Sequence, residues 1–507
     1  MTSKRIFLCA DHGLALIYFL QSDILPTLLN VGCQVVLLTD DALLPGLQAG
    51  DALYRGGDLS RGGDLYRSPL PTSHFPLPTS YGSALTLAGL RLPQLHHYAQ
   101  HTAPQTQWWL NFLRRVGSSG RINTEAMDSY VNQVAVEEGR RRRLLLPLGR
   151  LIIALLRRSR QARQALVRLQ QRYNPQVYAD LFDQYRPDLV IASTYGWRMD
   201  RYLLREAAAR QVKIAVAIVG WDNPSSYGLP AAPIDYLTCW SQIQKDELTL
   251  GADFPPERVH IGGVPAYDGY FRKQWLIPRD EYFRLHRLDP SRKLLTYAAS
   301  FVSFAPNLPN VQTLARLVAS DALALPCQLL IRLHPNHFSD NPLYAGEREQ
   351  IRQLAQELPH VHLVEPVPLA GSLNYYSGED MPEKSSMMAY SDVFLTVYST
   401  MLVECAIHQR PMISLCLDTP GGWDAPQKYS LPLSQIGNWP THSRFRAAAA
   451  GQVALSEAQL IQAINHSLLH PEASLPALRA FLAQECTFTD GSASRRTGEF
   501  LLTCLPS

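Results

Sequence analysis

The feature that most limits what this chain can become is a repeated alternation of short apolar runs with amphipathic helical stretches. Residues 6–10 form a continuous apolar run that reads as a buried strand, 14–29 carry helical periodicity, and 35–39 form a second apolar run. Gly32 stands where the helix should stop, because a residue without Cβ enters the left-handed conformation cheaply. The pattern continues with apolar runs at 189–193, 214–219 and 236–239 and a helical stretch at 199–210. It then restarts. Apolar runs at 294–298, 329–333, 361–364, 393–397 and 412–417 alternate with helical stretches at 311–320, 348–358 and 400–408. Strands that are apolar throughout, rather than at every second residue, are expected where helices cover both sheet faces, which means parallel sheets. The pattern therefore predicts an α/β protein of two Rossmann-like doubly wound domains facing a cleft, with a basic helical insertion in the first. The Gly262-Gly263 stretch marks the seam. This divides the chain into 1–265, with insertions at about 50–82 and 100–178, and 266–507. Helical patterns at 456–468 and 475–485 close it.

Composition excludes several classes. A 46% hydrophobic content is that of an ordinary globular protein, not of a disordered or collagen-like chain. The balance of 47 basic against 44 acidic residues, +3 net, is too small to indicate a nucleic-acid partner. Cysteines at 9, 33, 239, 327, 405, 416, 486 and 504 form no Cys-x-x-Cys pair, so zinc and redox motifs have no support. A reducing compartment fits such thiols. The apolar run before Asp11 and His12 is too short for a secretory leader, and no run reaches the ~18 residues of a membrane span. The expectation is a cytoplasmic protein, with the inner face of the membrane as a place of attachment.

Two insertions stand out. Residues 55–80 repeat Arg-Gly-Gly-Asp-Leu and Pro-Leu-Pro-Thr-Ser twice each and read as a surface loop. Between Gly139 and Tyr173 lie eleven arginines, from Arg140 to Arg172, and no acid. They surround the apolar segment Leu144 to Leu156. A cationic face beside an apolar one suits an anionic membrane surface, or else a core helix with a solvated basic side. The run lacks the interleaved aromatics on which bases would stack.

Ligands of open α/β sheets sit beyond the carboxyl ends of the strands, which selects the residues that follow each run. Asp11 and His12 follow the first. A histidine beside a carboxylate can act as general base; the alternative is helix capping by Asp11. Trp221, Asp222 and Asn223 follow the run at 214–219, where Trp221 could stack on a sugar and the other two could bond hydroxyls, unless both serve an Asx-turn. His334, Pro335 and Asn336 follow the run at 329–333, with Pro335 turning the chain so that His334 leaves the sheet. Ser399, Thr400 and Glu404 follow the run at 393–397. The two hydroxyls and the first free amides of the helix suit a phosphate, and Glu404, a turn further on, could reach a ribose. There is no Gly-x-Gly-x-x-Gly after the first strand, no phosphate-binding Gly-x-x-x-x-Gly-Lys, no Gly-x-Ser-x-Gly and no Asp-x-Asp pair. Dinucleotide, phosphate-loop, serine-hydrolase and metal-held nucleotide chemistry are thereby disfavoured.

Four pieces in order resemble the GT-B glycosyltransferases, nearest to the bacterial surface-polysaccharide group that includes CDP-glycerol glycerophosphotransferases, Kdo-type transferases and sialyltransferases with a His-Pro motif. They are Trp221-Asp222-Asn223-Pro224-Ser225-Ser226, the seam from Gly262 to Asp268, Arg332-Leu333-His334-Pro335, and the segment from Asp392 to Pro411, with a late Asp490-Gly491-Ser492-Ala493. The resemblance implies a nucleotide-activated donor held in the second domain by His334, Asn336, Ser399, Thr400 and Glu404. It implies a saccharide or lipid-linked acceptor in the first domain, with Asp11 or His12 removing the proton of its hydroxyl. It implies no metal and no cofactor beyond the nucleotide-sugar substrate. Within the same fold the alternatives are a polyol-phosphate transferase using a CDP-glycerol-type donor and a UDP-sugar 2-epimerase-like enzyme. Outside enzymes, the alternative is a degenerate transferase acting as a scaffold.

Overall fold

The computed structural model describes residues 3–45, 82–300, 307–338, 342–366, 380–417 and 433–506. The repeats at 55–80 lie outside these residues. Seven strands form the first sheet: β1 (Arg5–Cys9), β2 (Gln34–Thr39), β3 (Leu85–Gly89), β4 (Leu189–Ala192), β5 (Lys213–Ala217), β6 (Tyr236–Cys239) and β7 (Val259–Ile261). Six form the second: β8 (Lys293–Ala298), β9 (Cys327–Arg332), β10 (Val361–Val364), β11 (Val393–Thr396), β12 (Met412–Leu415) and β13 (Gln452–Ala454). The orders are β3-β2-β1-β4-β5-β6-β7 and β10-β9-β8-β11-β12-β13, and the pairings are parallel. Each sheet thus reverses direction beside its first strand, and there a crevice opens at the carboxyl ends. Side chains on β1 show why the runs are apolar throughout. Ile6 and Leu8 enter one buried cluster, while Phe7 and Cys9 enter another on the opposite face. This is the two-domain α/β architecture that the GT-B resemblance implies. All eight cysteines are buried free thiols.

The structure departs from the sequence expectation in places. The helix expected over 14–29 is two helices, Gly13–Leu20 and Ile24–Asn30. Ser22 breaks it: its hydroxyl donates to Tyr18 O at 2.6 Å and accepts from Ile24 N at 3.3 Å, in competition with the helical ladder. Strands β3, β7 and β13 were not foreseen. Two are only three residues long, and β3 is a half-exposed edge strand, so neither length nor period announced them.

Helix Leu92–His101 leads into the second insertion, and four helices fill it: Pro104–Val116, Glu125–Glu137, Arg140–Arg158 and Arg160–Gln170. They have a small core of their own, including Leu110, Phe112, Met127, Val131, Ile153 and Leu156. Helix Arg140–Arg158 turns Leu146, Gly149, Ile153 and Leu156 inward. Its opposite side carries Leu144, Leu148, Leu151 and Leu155, which are 56–70% exposed. Spacings of four, three and four place these on one stripe. Of the arginines here, Arg142, Arg157 and Arg163 pair with Glu138, Asp128 and Asp253 at 2.6–2.7 Å. The other eight are exposed.

The seam and the late Asp-Gly segment meet. Asp268 accepts from the amides of Ala493 (3.0 Å) and Ser494 (2.8 Å) and from the Ser494 hydroxyl, capping helix Ala493–Thr503. That helix returns to the first domain, where Gly498 lies so close that a Cβ would come within 2.8 Å of Thr27. A second tie crosses the domains at Trp221. Its indole donates to Glu485 at 2.7 Å; Arg444 brackets the same carboxylate at 2.7 and 3.1 Å and reaches Glu247 at 3.1 Å.

Candidate active site

A cavity of about 410 Å³ lies between the two sheets. The first domain contributes His12 and Asp222, and the second contributes His334, Asn336, Thr400 and Glu404. Beside it, a further cavity of about 280 Å³ reaches Ser399, Tyr398 and His442.

His12 sits in the tight turn from β1 into helix Gly13–Leu20. Its backbone is extended, and its carbonyl receives the first helical bond, from Leu16 N at 3.1 Å. Asp11 is not a helix cap. Its Oδ1 lies 2.7 Å from His12 Nδ1 and accepts from the Ser193 hydroxyl at 3.0 Å, while Oδ2 is 3.5 Å from Arg198 Nε. Burial pushes the Asp11 carboxyl up, but His12, Arg198 and Ser193 together hold it below the usual range. An ionised Asp11 fixes His12 with its proton on Nδ1, so Nε2 is the basic atom. Both residues are buried, Asp11 at 4% and His12 at 3% exposed, but only His12 lines the cavity. The geometry places His12 at the cavity wall and Asp11 behind it.

His334 follows β9, whose last residue, Arg332, is buried and paired with Asp380. The turn at Pro335 lets Asn336 N donate to His334 Nδ1 at 3.1 Å. With Nδ1 accepting, a neutral ring carries its proton on Nε2 and can donate it. Burial, then His337, Arg332 and Lys384, lower the His334 pKa to about 3. His334 is thus a neutral hydrogen-bond donor.

Glu404 is buried. Its Oε2 accepts from Tyr270 at 2.8 Å and from Lys384 at 2.5 Å. A carboxylate so engaged keeps Oε1 for the cleft. Ser399 accepts from Met401 N at 3.2 Å, so it caps its own helix, while exposed Thr400 makes no such side-chain bond. The residue before them, Tyr398, has φ of +30°, a conformation strained for a residue with a Cβ. Its ring stacks on His442 at 4.6 Å.

The loop after β5 differs from expectation. Trp221 is 2% exposed, and its ring is turned into the domain junction through Glu485, so it offers little face for a sugar to stack on. Asn223 Oδ1 accepts from Gly220 N at 2.9 Å. A Cβ at Gly220 would come within 2.4 Å of Asn223, so the turn depends on glycine there. Asn223 thus serves the turn first, and Asp222 is the residue of the three that faces both cavities. Glu365, just after β10, is held by Arg352 at 2.6 and 2.8 Å.

Sequence reasoning missed Lys384, Trp197, Arg198, Tyr227 and Tyr270, all of which line the main cavity. Trp197 and Arg198 follow β4, so the strand-end rule could have found them. Lys384 sits inside helix Met381–Tyr390 and carries no local signal. Among the described residues, no group of three or more His, Cys, Asp or Glu could hold a metal ion, and no helix is long and apolar enough to cross a membrane.

No protein-family model matches the chain, and no curated protein does. Its structural neighbours include a UDP-GlcNAc 2-epimerase from Neisseria meningitidis bound to UDP-GlcNAc (13% identity, 98% of this chain and 100% of that one, TM-score 0.48). A glycosyltransferase from Rickettsia africae aligns at 9% identity over all of both chains, with a TM-score of 0.49. The wall teichoic acid polymerase TagF aligns at 15% identity over 54% of this chain and 58% of its own, with a TM-score of 0.36.

Proposed function

We propose that the chain is a metal-independent glycosyltransferase that moves a sugar from a nucleotide-activated donor to an acceptor hydroxyl in surface-polysaccharide or glycolipid synthesis. One observation carries this reading: His12 with its Asp11 partner opposes His334, Thr400 and Glu404 across a single cavity between the domains. His12 Nε2 takes the proton of the attacking hydroxyl, and Asp11 stabilises the imidazolium that results. The leaving group is a nucleotide phosphate. His334 Nε2–H, Thr400 and buried Lys384 supply donors and positive charge where its negative charge develops. Glu404, held by Tyr270 and Lys384, meets the ribose or sugar hydroxyls. Drying of the cleft on binding strengthens each of these interactions.

The place of work belongs to the same proposal. Leu144, Leu148, Leu151 and Leu155 form an exposed apolar stripe flanked by exposed arginines. Like charge at this density disfavours a second copy of the chain and favours an anionic lipid surface, which also suits a lipid-linked acceptor.

A thermal-shift screen of UDP- and CDP-sugars and CDP-glycerol tests the assignment, since a ligand that binds only the native state raises its midpoint. The expected result is a shift with a nucleotide-sugar that His334→Ala abolishes, together with nucleotide release that depends on an acceptor. Release of sugar without acceptor would instead mark an epimerase-like enzyme, and no shift with any nucleotide would mark a scaffold.

A further inference from the structure

Next to the main cavity, a third cavity of about 260 Å³ is walled by the helical insertion on one side and by the strand ends of the first sheet on the other. Helix Pro104–Val116 supplies Arg114 and Arg115, helix Glu125–Glu137 supplies Tyr130, the segments after β4 and β5 supply Trp197 and Tyr227, and helix Asp200–Ala209 supplies Arg201. Trp197 and Tyr227 stack at 4.3 Å with 11° between their planes. Both also line the main cavity, and the Trp197 ring lies 5.9 Å from that of His12. The stacked pair is therefore a shared wall between the proposed base and the arginine pocket.

The charges in this pocket do not close. Arg114 is 2% exposed. Its Nη1 donates to Leu229 O at 3.0 Å and Arg201 Nη1 to Arg198 O at 2.8 Å, but among the described residues the Nε of Arg114, Arg115 and Arg201 and Trp197 Nε1 meet no acceptor. Burial, then Arg201 and Arg205, lower the Arg114 pKa to about 9. Two carboxylates act on the cluster, Asp200 on Arg114 and Arg201 and Asp222 on Arg115. Asp200 is bonded to Thr194; burial and then Asp11 raise it to about 7, and burial raises Asp222 as well, so three guanidinium groups face two carboxyls that burial drives toward the neutral form. Arg115 lies 3.6 Å over the Tyr130 ring. Close guanidinium groups without matching carboxylates are costly in a buried site unless an anion completes them. Planar N–H groups beside aromatic faces suit a sugar that bears an oxyanion.

We propose that this pocket is an acceptor subsite for a carboxylate or phosphate carried on a saccharide, held by Arg115 and Arg201 above buried Arg114, with the sugar against Trp197 and Tyr227. The assignment rests on the transferase reading for the word acceptor, but the anion site stands on its own geometry. It orients the acceptor so that a neighbouring hydroxyl reaches His12 over the Trp197 edge.

Titration calorimetry of the full chain with D-glucuronate, glucose 6-phosphate, inorganic phosphate and uncharged glucose tests it. One or both anionic sugars should bind, glucose should not, and the glucuronate and phosphate arms show which oxyanion is preferred. Arg201→Gln should weaken anionic-sugar binding by about tenfold or more, the loss expected for a charge-assisted contact, and Arg201→Lys should restore part of it. Arg115→Gln carries the same expectation should Arg201→Gln unfold. Equal binding of charged and uncharged sugars, or of wild type and both Gln variants, overturns the subsite. Nucleotide-sugar binding that persists while the anion site fails leaves the transferase reading standing. An anion site sensitive to Arg201→Gln in a protein that binds no nucleotide does the reverse.

Discussion

Asp11→Asn is the most informative single change, because it keeps the shape of the dyad and removes its charge. In the native site Asp11 Oδ1 takes two donors, His12 Nδ1 and Ser193 Oγ, while Oδ2 lies near Arg198. An asparagine that places its carbonyl oxygen at Oδ1 keeps both bonds but points its NH2 at a cation. His12 stays in the basic tautomer, yet the imidazolium formed during transfer loses a buried counter-ion. A charge-assisted hydrogen bond contributes about 1.5–3 kcal/mol, which corresponds to roughly 10- to 150-fold in rate. The reversed amide satisfies Arg198 but donates to His12 Nδ1. That forces the proton onto Nε2, and the loss then approaches about 10⁴-fold. The assay is acceptor-dependent nucleotide release with the donor found in the thermal-shift screen, measured as kcat/KM across pH, with nucleotide affinity measured in parallel. We expect at least a tenfold drop, about the lower end of the charge term, with unchanged nucleotide affinity, since Asp11 lies in the other domain. Activity within about threefold of wild type, too small for the loss of a transition-state contact, with an unchanged pH profile would refute the dyad.

Three further outcomes are expected. Changing Arg140, Arg141 and Arg143 to Gln should weaken flotation with anionic liposomes by about a hundredfold, at ~1 kcal/mol per arginine; equal flotation of variant and wild type would sink the membrane proposal. Arg444→Met leaves buried Glu247 and Glu485 without their cation, and should cost about 3–5 kcal/mol in chemical denaturation; a loss below about 1 kcal/mol, the level of a surface pair, would show the junction is not held this way. His442, lowered to about 3 by burial and then Arg444, is neutral when folded and takes a proton on unfolding below pH ~6.5. It therefore contributes stability at neutral pH that is lost as pH falls from about 6.5 toward 3, on the order of 2 kcal/mol by pH 5. Glu247, raised to about 7 mainly by burial, acts in the opposite sense, so the test is a difference. Relative to wild type, His442→Gln should gain about 2 kcal/mol of stability at pH 5 compared with pH 7.5, and an unchanged difference would refute the assignment.

The sequence by itself determined the two sheets and the places where chemistry gathers. Apolar runs without alternation require cover on both faces, and that requirement fixes parallel strands, doubly wound order and strand-end sites from local pattern alone. Hence His12, His334 and Thr400, each two to four residues beyond a strand, fall in one cavity. Short edge strands such as β7 and β13 carry too few residues to show a period, and Ser22 breaks a helix through one hydroxyl that no periodicity registers.

Only the tertiary structure separated residues that the sequence left equal. Asp11 and His12 were equal candidates as neighbours in sequence. Ser193 and Arg198, some 180 residues away, engage the Asp11 carboxylate, while His12, also buried, is the one that lines the cleft. Trp221 looked free to stack on a ligand until Glu485, 264 residues on, claimed its indole. The basic insertion read as arginines around one apolar segment, and folding sorted them into three paired with carboxylates and others exposed beside an apolar stripe. Local pattern fixes which faces are buried. Long-range contact fixes which charges are shared, and on this protein the shared charges carry the proposed function.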